Sequence, residues 1–134
     1  MPLLHDEDYE TLAERSLEYE EDETNRFLVL KNYPLPNELY DVKSCDVLIV
    51  IPQNYNSCGN DMLWTSPALS RLDKKPIPRA NKPGDGDNRM HNGKEFCRWS
   101  RHWSGAASWR PNIDNMLTIL QRIEWALNKP DANK

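Results

Sequence analysis

The sequence predicts an α+β fold, a four-stranded antiparallel meander with an N-terminal helix and a C-terminal helix packed on one face. Three observations carry that reading. Four short runs of strand formers follow one another between residues 17 and 65, three of them closing on a proline. One amphipathic pattern near the end holds the helical period across residues 112–127. A short helical pattern rich in acids opens the chain. The 134 residues fit one domain, 1–134. A chain of that size buries roughly two-thirds of the surface it exposes when unfolded.

The elements follow in order. Residues 6–15 read as an acidic helix: Asp6 or Asp8 can cap it, and Leu4, Leu12 and Tyr9 supply a thin apolar stripe. Leu17 to Glu20 alternates like an edge strand. Arg26 to Tyr33 is rich in strand formers and stops at Pro34-Leu-Pro36. Cys45 to Ile51 is nearly continuous in apolar character, which marks a central strand, and Pro52 ends it. Asp61 to Thr65 is the fourth strand. Residues 70–94 then lose all periodicity and carry three prolines, three glycines and seven bases. They predict a long, mobile, basic loop of the kind that serves a site. An aromatic and cationic run from Glu95 to Trp103 follows, then a turn of small residues, Ser104 to Ser108. In the last helix Ile113, Met116, Leu117, Leu120, Ile123 and Leu127 fall on one face. Pro111 or Asn112 starts it and Lys129-Pro130 stops it.

Charge and cysteine usage exclude several function classes. The net charge of −4 divides unevenly, because residues 1–25 hold ten acids and one base. An acidic end beside a basic body suggests protein partners or a self-docked segment, not a nucleic-acid binder basic throughout. Three cysteines do not make a disulfide framework and point to a reducing, cytoplasmic setting. No apolar run reaches the ~18–20 residues of a membrane helix, and no basic segment precedes an apolar one at the start, so neither membrane insertion nor secretion is expected.

Three stretches together resemble the ubiquitin-conjugating enzyme superfamily. The strand 45–51 ends in Pro52 and is followed by Tyr55, as that superfamily's strand ends in Phe-Pro before a Tyr-Pro. Asn92-Gly93 precedes Cys97, similar to the His-Pro-Asn and Gly that precede the catalytic cysteine. Trp109-Arg-Pro111 opens the last helix, as a Trp-x-Pro does there. The Trp99-Ser-Arg-His102 run with Trp109-Arg-Pro111 looks most like prokaryotic family E of the superfamily, and the resemblance spans about residues 10–128. It differs in the acidic first helix, where the superfamily's helix tends to be basic.

The resemblance implies a UBC-like fold and an enzyme that accepts the C-terminus of a ubiquitin-like protein from a ThiF-type activating enzyme as a thioester. The group would pass to a target amine. A JAB-type metalloprotease in the same pathway and a role in anti-phage defence are implied with it. No cofactor is expected, since the ATP chemistry belongs to the activating enzyme. Cys97 is the candidate nucleophile: Lys94, Arg98 and Arg101 lie near it in sequence, and cations lower a thiol pKa. The rival reading is an inert cysteine packed beside Phe96. Ser100 is the alternative nucleophile, nine residues before Trp109, with His102 as its base if the segment is extended and both face one side. His102 reads somewhat better as a structural hydrogen-bonded group between Trp99 and Trp103. Asn92, or Asn88 in its place, could donate to an oxyanion, although an Asn in such a loop also forms turns. Cys45 reads as core and Cys58 as an exposed turn residue. His91 either orients the loop or sits free.

Other chemistries are weaker. Cys97 and His102 with His91 and Cys58 match no established zinc spacing, so no metal is expected. Trp99, Trp103 and Trp109 beside Arg98, Arg101 and Arg110 could stack bases, but core anchoring with cation–π neighbours is the simpler reading. A non-catalytic adaptor of the same fold is the alternative to the enzyme.

Overall fold

The structure is a computed structural model that describes residues 2–103 and 108–132. Helix α1 spans Asp6–Glu14 and strands β1 to β4 span Glu18–Asp22, Phe27–Pro34, Ser44–Val50 and Leu63–Ser66. Strands β5 (Arg89–His91) and β6 (Lys94–Trp99) come next, and α2 (Met116–Asn128) closes the order. The six strands form one sheet in the order β1-β2-β3-β4-β6-β5, antiparallel throughout. The small-residue turn expected at 104–108 lies outside the described residues, apart from Ser108.

The four expected strands form the meander, and both helices pack on one face of it. Leu12 of α1 and Met116, Ile119, Leu120, Ile123 and Leu127 of α2 bury against Leu28, Leu30, Val47, Ile49 and Leu63. The opposite sheet face has its own smaller core of Phe27, Val29, Leu48, Trp64 and Phe96. Strand β3 therefore buries both its faces, which is why its sequence is apolar without alternation.

The sheet curls around that second core. The ring of His91 on the β5 edge reaches Phe27 of β2 at 6.5 Å and Phe96 at 6.3 Å. Its Nε2 lies 3.6 Å from Glu20 Oε1 on β1, the opposite edge strand. Asp46 binds the curl from the middle of the sheet. Its carboxylate accepts from Lys94 Nζ at 2.7 Å and from the Asn32 N–H, at the β2 bulge, at 2.9 Å. Lys31 Nζ sits 3.0 Å from the same carboxylate.

Three expectations need correction. The sheet has six strands, not four, because residues 89–91 and 94–99 pair as a hairpin. Its two-residue turn is Asn92-Gly93, with φ of 50° and 76°. Positive φ at both positions is what a tight hairpin turn demands, and Asn-Gly supplies it. The expected loop 70–94 accordingly gives up its last residues to β5 and this turn. Second, α2 begins at Met116 rather than Asn112. Asn112 takes a φ of 62°, which no helix position tolerates, and Asn115 caps the helix by accepting the Leu117 N–H at 3.0 Å. Ile113 thus lies before the helix and is exposed, and Leu117 is also exposed, so neither belongs to the buried stripe. Third, the residue capping α1 is His5. Asp8, at the third helical position, accepts the His5 N–H at 3.0 Å.

The same Asp8 is almost fully buried. Its Oδ1 accepts from Tyr55 Oη at 3.0 Å and from the Met116 N–H at 2.9 Å, so one carboxylate ties α1 to the loop after β3 and to the start of α2. No helix of the described residues is long and apolar enough to cross a membrane.

Candidate active site

Strand β6 carries the candidate nucleophile Cys97. Its register pairs Thr65 with Cys97 and Leu63 with Trp99, so β4 fixes its height in the sheet. Alternation along the strand sends Phe96 into the second core and Cys97 to the opposite face. The segment 81–88 lies over the thiol, which is 2% exposed. Asn88 Nδ2 points at Cys97 Sγ from 3.6 Å. The same amide nitrogen donates to Lys82 O at 2.9 Å and to Glu95 Oε2 at 3.1 Å. Asn88 Oδ1 accepts from the Arg98 N–H and from Asn81 Nδ2. The Gly84 N–H also donates to Glu95 Oε2, at 2.8 Å. Glu95 therefore latches the middle and the far end of the covering segment to β6.

The electrostatics differ from those expected. Burial pushes the Cys97 thiol up from its ordinary pKa, and the negative charges of Glu95 and Asp85 push it further. The three cations near it in sequence serve other partners. Lys94 binds Asp46, Arg98 Nη1 binds Asp87 Oδ2 at 2.5 Å, and Arg101 sits over the Trp99 ring at 5.1 Å. Arg101 also donates to the Pro78 and Pro130 carbonyls. Strand alternation and these partners separate neighbours in sequence from neighbours in space, so the expected cationic activation of the thiol is absent from this geometry.

The remaining candidates fall in five places. Asn92 lies in the hairpin turn beyond Lys94, which is itself three residues along β6 from Cys97, about 10 Å at strand rise. Asn88 is the asparagine beside the sulfur. His91 is the ring that closes the curled sheet. Cys45 is buried, its thiol pushed up to about 12 by desolvation and then by Asp46, whereas Cys58 is exposed and receives an Asn54 amide N–H at 3.3 Å.

Ser100 and His102 do come together. Ser100 Oγ lies 3.0 Å from His102 Nε2. The other ring nitrogen, Nδ1, lies 2.6 Å from Asp61 Oδ1. Sequence reasoning missed Asp61. Its only signal was that it leads into β4, the strand that pairs with β6 and so delivers its upstream neighbours to the residues after Trp99.

The tryptophans are packed against this chain's own groups. Trp99 is buried, and Arg122 lies over Trp103 at 5.7 Å and Trp125 at 4.1 Å. Trp109 covers Gly59, donates its Nε1–H to Asn56 O at 3.0 Å and stands 5.3 Å from Trp103. Among the described residues no three His, Cys, Asp or Glu side chains converge as a metal site would require.

A groove of about 630 Å³ runs beside the covering segment, lined in part by Lys74, Lys75, Ile77, Asn81, Lys82 and Trp99.

A family model described as Prokaryotic E2 family E matches residues 4–130. No curated protein and no solved structure matches the chain. The match runs from before α1 to beyond α2, and the fold it covers is the expected α+β sheet with both helices on one face. The chain belongs to prokaryotic E2 family E.

Proposed function

We propose that the chain is a ubiquitin-conjugating-like acyl carrier whose nucleophile is Cys97. The supporting observation is the Asn88 amide 3.6 Å from the Cys97 sulfur, on a strand-borne cysteine under a latched segment. The sulfur attacks the thioester carbonyl by which an activating enzyme holds a ubiquitin-like C-terminus. The C–S bond to that enzyme breaks as the bond to Cys97 forms. An attacking amine later takes the acyl group and releases the Cys97 thiol. In both steps charge develops on the carbonyl oxygen, and the Asn88 amide beside the sulfur donates to it once it releases Lys82 O or Glu95 Oε2. Of the two asparagines offered by the sequence for this role, Asn88 takes it and Asn92 does not. Residues 81–87 open to admit the acyl tail while Asn88 stays held by the Arg98 N–H, since Cys97 is buried when they are closed.

The resemblance supports a ThiF-type activating enzyme and a ubiquitin-like protein as partners, with a JAB-type metalloprotease in the pathway and anti-phage defence as the setting. The lysine-lined groove beside the covering segment suits an acidic docking surface on such a partner. A cytoplasmic location follows from the reduced thiols this chemistry needs.

With activating enzyme, ubiquitin-like protein and ATP, the native chain gains a reductant-sensitive adduct. Cys97→Ala loses it, and Asn88→Ala slows its discharge onto free lysine by about 10²-fold. An undiminished adduct in Cys97→Ala removes the assignment. One observation favours a second reading, a non-catalytic adaptor of the same fold: the thiol is buried and its pKa is raised. A chain that binds the ubiquitin-like protein and never becomes charged would be that adaptor.

A further inference from the structure

We propose that Ser100, His102 and Asp61 form a second acyl-transfer centre, a serine-hydrolase-type triad that hydrolyses thioesters. The atoms connect in the order such chemistry needs. The serine oxygen meets the imidazole at Nε2, 3.0 Å away, and the carboxylate meets it at Nδ1, 2.6 Å away. A carboxylate can only accept, so it holds the ring proton on Nδ1 and leaves the Nε2 lone pair facing the serine hydroxyl.

The backbone fixes this arrangement on both sides. The Met62 N–H donates to Arg101 O at 2.9 Å, and Trp103 Nε1 donates to Asn60 O at 2.5 Å. These two bonds bracket the Asp61–His102 contact, each one residue away from it. The Ser100 N–H donates to Arg79 O at 2.9 Å, and Arg122 Nη2 donates to His102 O at 2.8 Å. The segment just past the β4–β6 ladder is thus pinned to residues 60–62, to Arg79 and to Arg122, and it holds Ser100 and His102 side by side. The His102 and Asp61 side chains are 48% and 63% exposed. That openness suits the terminus of a protein chain rather than an enclosed small molecule.

The steps balance. Ser100 Oγ attacks the thioester carbonyl carbon and its proton moves to His102 Nε2. The C–S bond breaks, and the leaving sulfur takes that proton as a thiol. Water then attacks the Ser100 ester, giving a proton to Nε2. The C–O bond breaks and Ser100 recovers the proton. The sum is thioester plus water to carboxylic acid plus thiol. Ser100 is the nucleophile, His102 the base and Asp61 a positioning residue. The physiological substrate, a ubiquitin-like thioester, rests on the function proposed above; the triad chemistry itself does not involve Cys97.

The test uses the full chain carrying Cys97→Ala, a fluorophosphonate probe, and a short peptide thioester ending in two glycines. The expected result is one probe molecule per chain, mapped to Ser100, together with thioester hydrolysis. Ser100→Ala and His102→Gln each lose both. Asp61→Asn slows labelling at least about tenfold with an unchanged thermal midpoint, and Asp61→Glu recovers part of the rate. Absence of probe at Ser100 in the folded chain, or equal hydrolysis in Ser100→Ala, overturns the proposal. Because Cys97 is missing throughout, a failed charging assay on Cys97 leaves this result standing, and the reverse holds too.

Discussion

Replacing Asp8 by alanine is the sharpest structural perturbation this fold offers. The carboxylate is 1% exposed and has three donors: the His5 N–H, the Tyr55 hydroxyl and the Met116 N–H. Met116 is 0% exposed and Tyr55 8%, so neither donor finds water when the acceptor goes. An orphaned buried donor costs about 1–3 kcal/mol, so the pair amounts to about 2–6 kcal/mol. The His5 N–H sits at an exposed helix start and adds little. Against a total stability of about 5–15 kcal/mol, that is a large fraction. Asp8→Asn keeps one carbonyl oxygen for the two buried donors and is expected to cost about 1–2 kcal/mol. Urea unfolding with an unchanged slope measures both. If Asp8→Ala falls within about 0.5 kcal/mol of the native chain, the carboxylate does not hold the two helices together and the reasoning fails.

Further predictions concern the sheet, the thiol and the turn under Trp109. Burial raises the Asp46 carboxyl pKa, but the hydrogen bonds from Lys94, the Asn32 N–H and Lys31 outweigh it, and the net shift is downward. A lowered native pKa contributes stability above the unfolded value of about 3.9 and loses it as pH falls through the native value. Asp46→Asn is therefore expected to be less stable by about 1–2 kcal/mol at pH 7, a figure reduced because Lys94 is half exposed, and the gap should close in acid unfolding series near pH 2. Because burial, then Glu95 and Asp85, raise the Cys97 thiol, its alkylation rate should still be climbing at pH 9. Glu95→Ala, which frees the Gly84 and Asn88 donors and removes a negative charge, should speed that alkylation several-fold; an unchanged rate would show that Glu95 latches nothing. A Cβ on Gly59 would overlap the six-membered ring of Trp109, so Gly59→Ala should destabilise by about 1–3 kcal/mol in thermal unfolding and shift the tryptophan fluorescence.

Much of this fold is legible in the chain. Strand β3 advertises its central place because both faces need apolar residues, and the α2 stripe advertises its buried face. The β5–β6 hairpin was hidden by composition. Prolines, glycines and bases between 70 and 94 mask an Asn-Gly turn whose flanking strands are only three and six residues long. The start of α2 was misplaced because Ile113 fits the helical period, while the left-handed backbone of Asn112 leaves no periodic trace. At the candidate site, the proposed thiol Cys97 and the Ser100–His102 pair can be read from the chain. Its electrostatics cannot, because Lys94, Arg98 and Arg101 find partners 48, 11 and 29 residues away along the chain. Asp61 escapes for the same reason: 41 residues separate it from His102, and only the β4–β6 pairing brings them together.

In the function proposed here, the acyl group rides on Cys97. Peptide mass mapping of the native chain, after charging by an activating enzyme with its ubiquitin-like protein and ATP, tests it directly. The expected result is a remnant of the ubiquitin-like C-terminus on the peptide containing Cys97, removed by thiol reductant. A remnant on Ser100 that resists reductant and yields to hydroxide, with Cys97 unmodified, would contradict it.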